Sequence, residues 1–335
     1  MILFGHAAFQ YLNAACELGL FELLAEKGPL TSKDIRTALD LEERAGDILL
    51  LGCAALGLVH RDGPTCRLSA EITDLMERDE WTHVVNTVAF EQYVVYESQR
   101  DFTDSLRHNT NVGLRRVPGD GTGLYRRLSQ NPHMEEVFYR YMRSWSQLAN
   151  AHLVRHLDLS GARTLLDCGG GDAVNATALA QANPHLRVTV LEIPESVPLA
   201  EEAIRAAGLQ GRVTVRAADI LEDPFPTGFD CVLFAHQLVI WTPEENTALL
   251  RKAHTALAPG GRVAVFNSMS DDTGDGPLIA ALDSVYFASL PAEGGMIYPW
   301  SRHEASMRAA GFTELRRIPL PTWTPHGILT GTRAA

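Results

Sequence analysis

Two hydrophobic rhythms divide the chain. In the first third, apolar positions recur at helical spacing, with Ala8, Tyr11, Leu12, Ala15, Leu18 and Leu20 on one stripe and Gly19 and Gly28 as punctuation. Thr31-Ser-Lys-Asp34 resembles a capping box and predicts a helix through Leu39. A third helix, about Ala45 to Ala55, stops at Gly57, and Leu58–Leu68 reads as a short hairpin turning at Asp62-Gly63. Three helices followed by a hairpin predict a winged helix. From Trp81 to about Leu157 the pattern stays helical, broken by a glycine-rich loop over Gly113–Gly123.

Near Ser160 the rhythm changes. Short apolar runs at Thr164–Cys168, Arg187–Leu191, Val213–Ala217, Phe229–Phe234 and Arg262–Phe266 alternate with helical stretches at Ala176–Gln181, Val197–Ala207 and Glu244–Leu257. This alternation predicts a Rossmann-like α/β fold, a doubly wound and mostly parallel sheet covered by helices on both faces. The reading divides the chain into a helical winged-helix dimerisation domain (1–100), a helical inter-domain region (101–160) and a sheet domain (161–335). In such sheets the ligand sits beyond the carboxyl ends of the strands, where the strand order reverses.

Composition narrows the function. The chain has 335 residues, 46% hydrophobic and 21% charged, enough for two domains. No apolar run approaches the roughly 20 residues that span a bilayer, and the first ten residues lack a basic signal-peptide region, so a cytoplasmic location is expected. A net charge of −12 repels phosphate backbones and anionic lipid. The recognition segment of the predicted winged helix, Leu41–Asp47, holds three acids against one arginine, so a dimerisation platform is expected there and nucleic acid is not. Five dispersed cysteines offer no disulfide framework and read as small buried hydrophobes.

The candidate chemistry begins at Leu165-Leu-Asp-Cys-Gly-Gly-Gly-Asp172, a glycine turn between strand and helix. A nicotinamide fingerprint fails at its last glycine, which is Val174, and Asp167 and Asp172 would meet a pyrophosphate with negative charge. A cofactor without phosphate and with a cationic centre suits the turn better. Glu192, ending the second strand, is placed to accept both hydroxyls of a ribose. Asp219 after the third strand could accept from an adenine amino group, with Ile220 as an apolar surface for the ring. These features describe a nucleoside cofactor with no phosphate and a cationic centre.

The chain resembles the caffeate/acetylserotonin-type O-methyltransferases and their bacterial relatives in antibiotic biosynthesis. The resemblance rests on Leu166-Asp-Cys-Gly-Gly-Gly171, Leu191-Glu-Ile-Pro194, Ala218-Asp-Ile220, Leu257-Ala-Pro-Gly-Gly261 and Ala310-Gly-Phe312, in family order and spacing. Ala14–Glu22 resembles the family's dimerisation helix and Asn131–Ser146 its inter-domain helix. It implies a homodimer and S-adenosylmethionine as cofactor, with contacts from Ser146, Asp167, Gly169, Gly171, Glu192, Ile193, Asp219, Ile220, Phe234 and Ala235. It also implies methyl transfer to a small acceptor in secondary metabolism, to oxygen by default. Met142, Trp145, Tyr286, Phe287, Tyr298 and Trp300 lie on acceptor-facing segments and suggest a flat aromatic acceptor held by stacking.

One departure stands out. The family's base histidine falls on Val239, within Phe234-Ala-His-Gln-Leu-Val-Ile-Trp241, while His236 lies three residues earlier. Either His236 serves as the catalytic base, or the acceptor atom is a carbon activated by a neighbouring phenol or ketone, or the site performs another cofactor-assisted reaction. No second histidine at ligand spacing supports a metal beside His236. His326, in Thr324-Pro-His-Gly327, reads as a turn residue.

Overall fold

The computed structural model describes residues 2–291, 294–320 and 324–334, and these form two compact units. The first comprises residues 1–96 with 136–144, and the second 97–135 with 145–335. Residues 101–160, read above as one inter-domain region, are therefore divided between the two.

The first unit carries α1 (Gly5–Glu17), α2 (Leu20–Lys27), β1 (Leu30–Thr31), α3 (Ser32–Ala38), α4 (Glu43–Ala55), β2 (Val59–Asp62), β3 (Thr65–Leu68), α5 (Ala70–Glu77) and α6 (Trp81–Phe90). The Thr31 hydroxyl accepts the Asp34 N–H at 3.2 Å, which caps α3 and fixes its start. The hairpin turns at Gly63-Pro64, one residue later than expected because Asp62 still pairs with Thr65, and β3 takes the centre of a three-stranded antiparallel sheet in the order β1-β3-β2. Ala15, Leu20, Phe21, Ile35, Leu50 and Cys53 close the core without exposure, with Phe21 meeting Trp81 edge to face at 5.0 Å. The winged-helix pattern read from the chain is thus realised.

The second unit is entered through α7 (Phe102–His108), α8 (Leu124–Leu128) and α9 (Pro132–His156), the last of which contributes residues to both units. The glycine-rich loop between α7 and α8 is held by side chains. Buried Asp101 takes bidentate pairs at 2.8 Å from Arg115 and Arg116, and Arg127 donates to the carbonyls of Leu114, Val117 and Gly121. The Asp101 carboxyl is held far below the usual carboxylate range by those two guanidinium groups.

The sheet that follows comprises β4 (Thr164–Cys168), α10 (Val174–Ala182), β5 (Arg187–Glu192), α11 (Val197–Ala206), β6 (Val213–Ala217), β7 (Phe229–Ala235), α12 (Pro243–Ala256), β8 (Leu257–Ser268), α13 (Leu278–Ser289), α14 (Trp300–Ala309), β9 (Thr313–Pro319) and β10 (His326–Thr332). Seven strands lie in the order β6-β5-β4-β7-β8-β10-β9, with only β9 and β10 running antiparallel to their neighbours. Parallel strands covered on both faces must be apolar throughout, and Leu165, Leu166, Val190, Leu191, Val232, Leu233 and Phe234 have no exposure. The strand order reverses between β4 and β7, which puts the switch point at the glycine turn after β4.

Candidate active site

Beyond Cys168 the chain turns through Gly169–Gly171 into α10. Gly169 has φ +71°, and a Cβ there would stand 2.5 Å from the Gln237 side chain, whose Nε2 donates to the Gly169 carbonyl at 2.8 Å. Only glycine satisfies both constraints. The Gly171 N–H donates to Glu192 Oε2 at 2.7 Å, and Glu192 Oε1 accepts the Ile193 N–H at 3.0 Å. Two backbone donors thus fix this carboxylate at the end of β5, and each oxygen keeps a lone pair for another donor.

Asp167 lies under the same loop, wholly buried, and neither of its carboxyl oxygens has a hydrogen-bond partner. Burial first, and the Glu192 charge second, push its pKa up to about 7. Burial also raises Glu192, against the opposing effect of its two backbone donors. A pair of carboxyls with unused acceptor capacity suits a ligand that brings an ammonium group and a sugar diol. Asp219 is exposed after β6, with Oδ1 accepting the Leu221 N–H at 2.8 Å, and Ile220 is buried beside it. The Ala218 N–H donates to the Glu192 carbonyl at 2.8 Å, which ties this turn to the end of β5. Phe234 and Ala235 close β7 as buried residues, Ile193 is largely exposed, and Ser146 is half-buried on α9.

The other half of the site is aromatic. His236, just past β7, adopts the left-handed conformation (φ +59°) and donates its backbone N–H to the Phe266 carbonyl at 2.8 Å. Its ring lies 5.1 Å from Phe266 and 5.0 Å from His326, which it meets edge on. His326 in turn stacks on Phe266 at 5.2 Å and faces Trp145 at 5.2 Å. His236 Nε2 and both ring nitrogens of His326 are enclosed without a hydrogen-bond partner. Burial lowers the His236 pKa to about 4 and drives His326 well below the ordinary imidazole range, so both rings are neutral at pH 7.

His326 is not the turn residue expected from the sequence but the first residue of β10. It lies opposite Ser268 of β8 and is 3% exposed. Flanking proline and glycine suggest a turn, yet the glycine has another cause. Gly327 leaves room for Trp300, whose ring atoms come within 2.2 Å of where a Cβ would be.

Val239 is buried in the turn after β7. Tyr286 is buried on α13, edge to face with Phe287 at 5.0 Å. Tyr298 donates its hydroxyl toward the carbonyls of Trp241 and Gly294, at 2.9 and 2.7 Å, and so fastens its own segment to the turn after β7. Trp300 opens α14 with the Arg317 guanidinium 5.8 Å from its ring. Met142 lies on the part of α9 that belongs to the first unit.

Residues 100–313 match the O-methyltransferase domain, and residues 1–71 match the O-methyltransferase dimerisation domain. The chain belongs to the O-methyltransferase family. It is 61% identical over 334 residues to L-tyrosine C(3)-methyltransferase of Streptomyces lavendulae, covering 99% of this chain and 91% of that one. It is 32% identical over 328 residues to 3-hydroxy-5-methyl-1-naphthoate 3-O-methyltransferase of Streptomyces sahachiroi, covering 97% and 92%. The crystal structure of the S-adenosylmethionine-dependent methyltransferase SibL in its apo form superposes with a TM-score of 0.90 at 50% identity, over 100% and 98% of the two chains.

This family membership makes the protein an S-adenosylmethionine-dependent methyltransferase of the secondary-metabolism type. The glycine turn, the orphaned Asp167 and the doubly anchored Glu192 fit that cofactor. Among the described residues no group of three potential metal ligands comes together, and no helix is long and apolar enough to cross a membrane. Two contributors were missed in the chain. Gln237 holds the glycine turn, a role that only the close approach to Gly169 reveals. His326 joins His236 through a strand pairing whose partner is about sixty residues away.

Proposed function

We propose that the enzyme methylates the ring carbon ortho to the hydroxyl of L-tyrosine or a closely similar phenolic amino acid. The observation that carries this reading is the 61% identity, along 99% of the chain, to a protein named for methylation at C3 of L-tyrosine. Val239 supports it, because the position where O-methylating relatives carry a base is aliphatic and buried here.

Bound S-adenosylmethionine supplies an electrophilic methyl group. In this reading Asp167 accepts from its ammonium, Glu192 from its ribose hydroxyls and Asp219 from its adenine, with Ile220 against the ring. The protein must then align the acceptor and manage its protons. His236 is unprotonated at neutral pH, so its ring is open to the phenolic proton. Because burial weakens it as a base, the proton moves as methyl transfer draws the oxygen's electrons into the ortho carbon. The ring cluster of Trp145, His326, Phe266 and His236 suits a flat phenol ring.

The test is product analysis with [methyl-13C]-S-adenosylmethionine and L-tyrosine. A carbon resonance of an aryl methyl, with loss of one ring proton, is expected. A methoxy resonance would return the enzyme to the family's default, and no labelled product would remove tyrosine as acceptor.

The reading includes a cytoplasmic homodimer built through the first unit, whose Ile2, Leu3, Phe4 and Leu51 are exposed apolar residues. Light scattering should give twice the 36.7 kDa chain mass. A monomer at micromolar concentration would overturn that part alone.

A further inference from the structure

Methylation of carbon beside a phenol asks for more proton handling than methylation of oxygen. When the aryl–methyl bond forms and the methyl–sulfur bond breaks, the ring carbon still carries its hydrogen. That hydrogen must leave as a proton to restore the aromatic ring, while the phenolic oxygen regains the proton it lent. The products are the methylated phenol, S-adenosylhomocysteine and one proton. Two proton acceptors therefore serve better than one, and the O-methylating case needs only the first.

The structure holds two such groups in ring contact. His236 and His326 meet edge on at 5.0 Å against the shared face of Phe266, with three of their four ring nitrogens enclosed and unpartnered. A buried imidazole without a hydrogen bond is costly, about 1–3 kcal/mol for each unsatisfied group, so a structural histidine would normally be paired. His326 is 3% exposed, and its ring packs against those of Trp145, Phe266 and His236. A phenylalanine would pack there as well. Retaining imidazole makes sense if its nitrogens are used during the reaction.

We propose that His326 is a second proton-transfer residue of the acceptor site, taking the ring proton after His236 has taken the phenolic one. This rests on the C-methylation reading. The groups whose charge bears on His326 are His236 after β7 and His152 on α9; none of the three histidines is shifted by an acidic neighbour, and burial keeps His326 uncharged.

The decisive experiment compares L-tyrosine with L-tyrosine deuterated at both positions ortho to the hydroxyl, in wild type, His326→Gln and His326→Phe. Wild type must first give the aryl-methyl product; if it does not, the C-methylation reading fails and this proposal with it. If it does, the wild-type isotope effect on kcat is expected to lie near 1. In the variants loss of the ring proton becomes the slow step, so the effect should rise to about 3 or more while kcat falls by roughly 10²-fold. S-adenosylhomocysteine affinity within about twofold of wild type shows that the fold and cofactor site persist. His326→Phe keeps the stacking on Phe266 and serves should the glutamine variant fail to fold. An isotope effect that stays near 1 in a folded variant, whatever the fall in rate, would overturn the proposal and leave His326 as packing.

Discussion

Asp167→Asn is expected to make the cofactor-free enzyme more stable at pH 8.5 and, in the same protein, to weaken S-adenosylhomocysteine binding by about 10–100-fold. Both effects follow from one carboxyl that the fold buries without a partner. In the unfolded chain its proton is lost near pH 4, while the folded chain holds it up to about pH 7. Between those values the folded state binds the extra proton, so stability falls as the pH rises, and above pH 7 the full penalty is present, on the order of 4 kcal/mol. The amide cannot ionise, so its advantage should shrink as the pH is lowered through 7 toward 4. Differential scanning calorimetry at several pH values reads this, and calorimetric titration reads the affinity. Equal melting temperatures at high pH would show that Asp167 carries no buried charge. Unchanged affinity would show that its open acceptor sites are not meant for the cofactor.

Much of this site was legible in the chain because parallel strands are covered on both faces. Thr164–Cys168 is bounded in the structure as its apolar run predicts. The carboxylates at the strand ends follow directly, since a strand's last residue fixes where the next side chain can reach. Antiparallel pairing is harder to read. β10 gains its place only by lying against β8, and Thr-Pro-His-Gly looks like a turn until that partner is known. A signal was present, because His326 shares the parity of Ile328, whose side chain has no exposure. The division of α9 between the two units was hidden for the opposite reason. Its 25 residues form one uninterrupted helix, and which neighbour each turn packs against is not encoded in periodicity.

His236→Asn should lower kcat by roughly 10²–10⁴-fold with the affinity for S-adenosylhomocysteine unchanged. Asparagine is the informative replacement because position 236 has φ +59°, a conformation that asparagine tolerates and most other residues resist. A fall in rate is then attributable to the lost proton acceptor and not to a disturbed turn. The pH dependence separates base from bystander. Burial weakens the imidazole as a base but leaves it unprotonated throughout the neutral range, so activity should hold from pH 8 to below 6 before its acid limb appears. The same shift sets a stability window. Unfolded histidine gains its proton near pH 6.5 while the folded ring resists to about 4, so the native state loses stability as the pH falls through that interval. His236→Asn removes one such group and should unfold at lower pH than wild type. A rate loss below about threefold would sink the role of His236 in catalysis, whatever the stability curve shows, because a residue that only packs the end of β7 would move the second observable and spare the first.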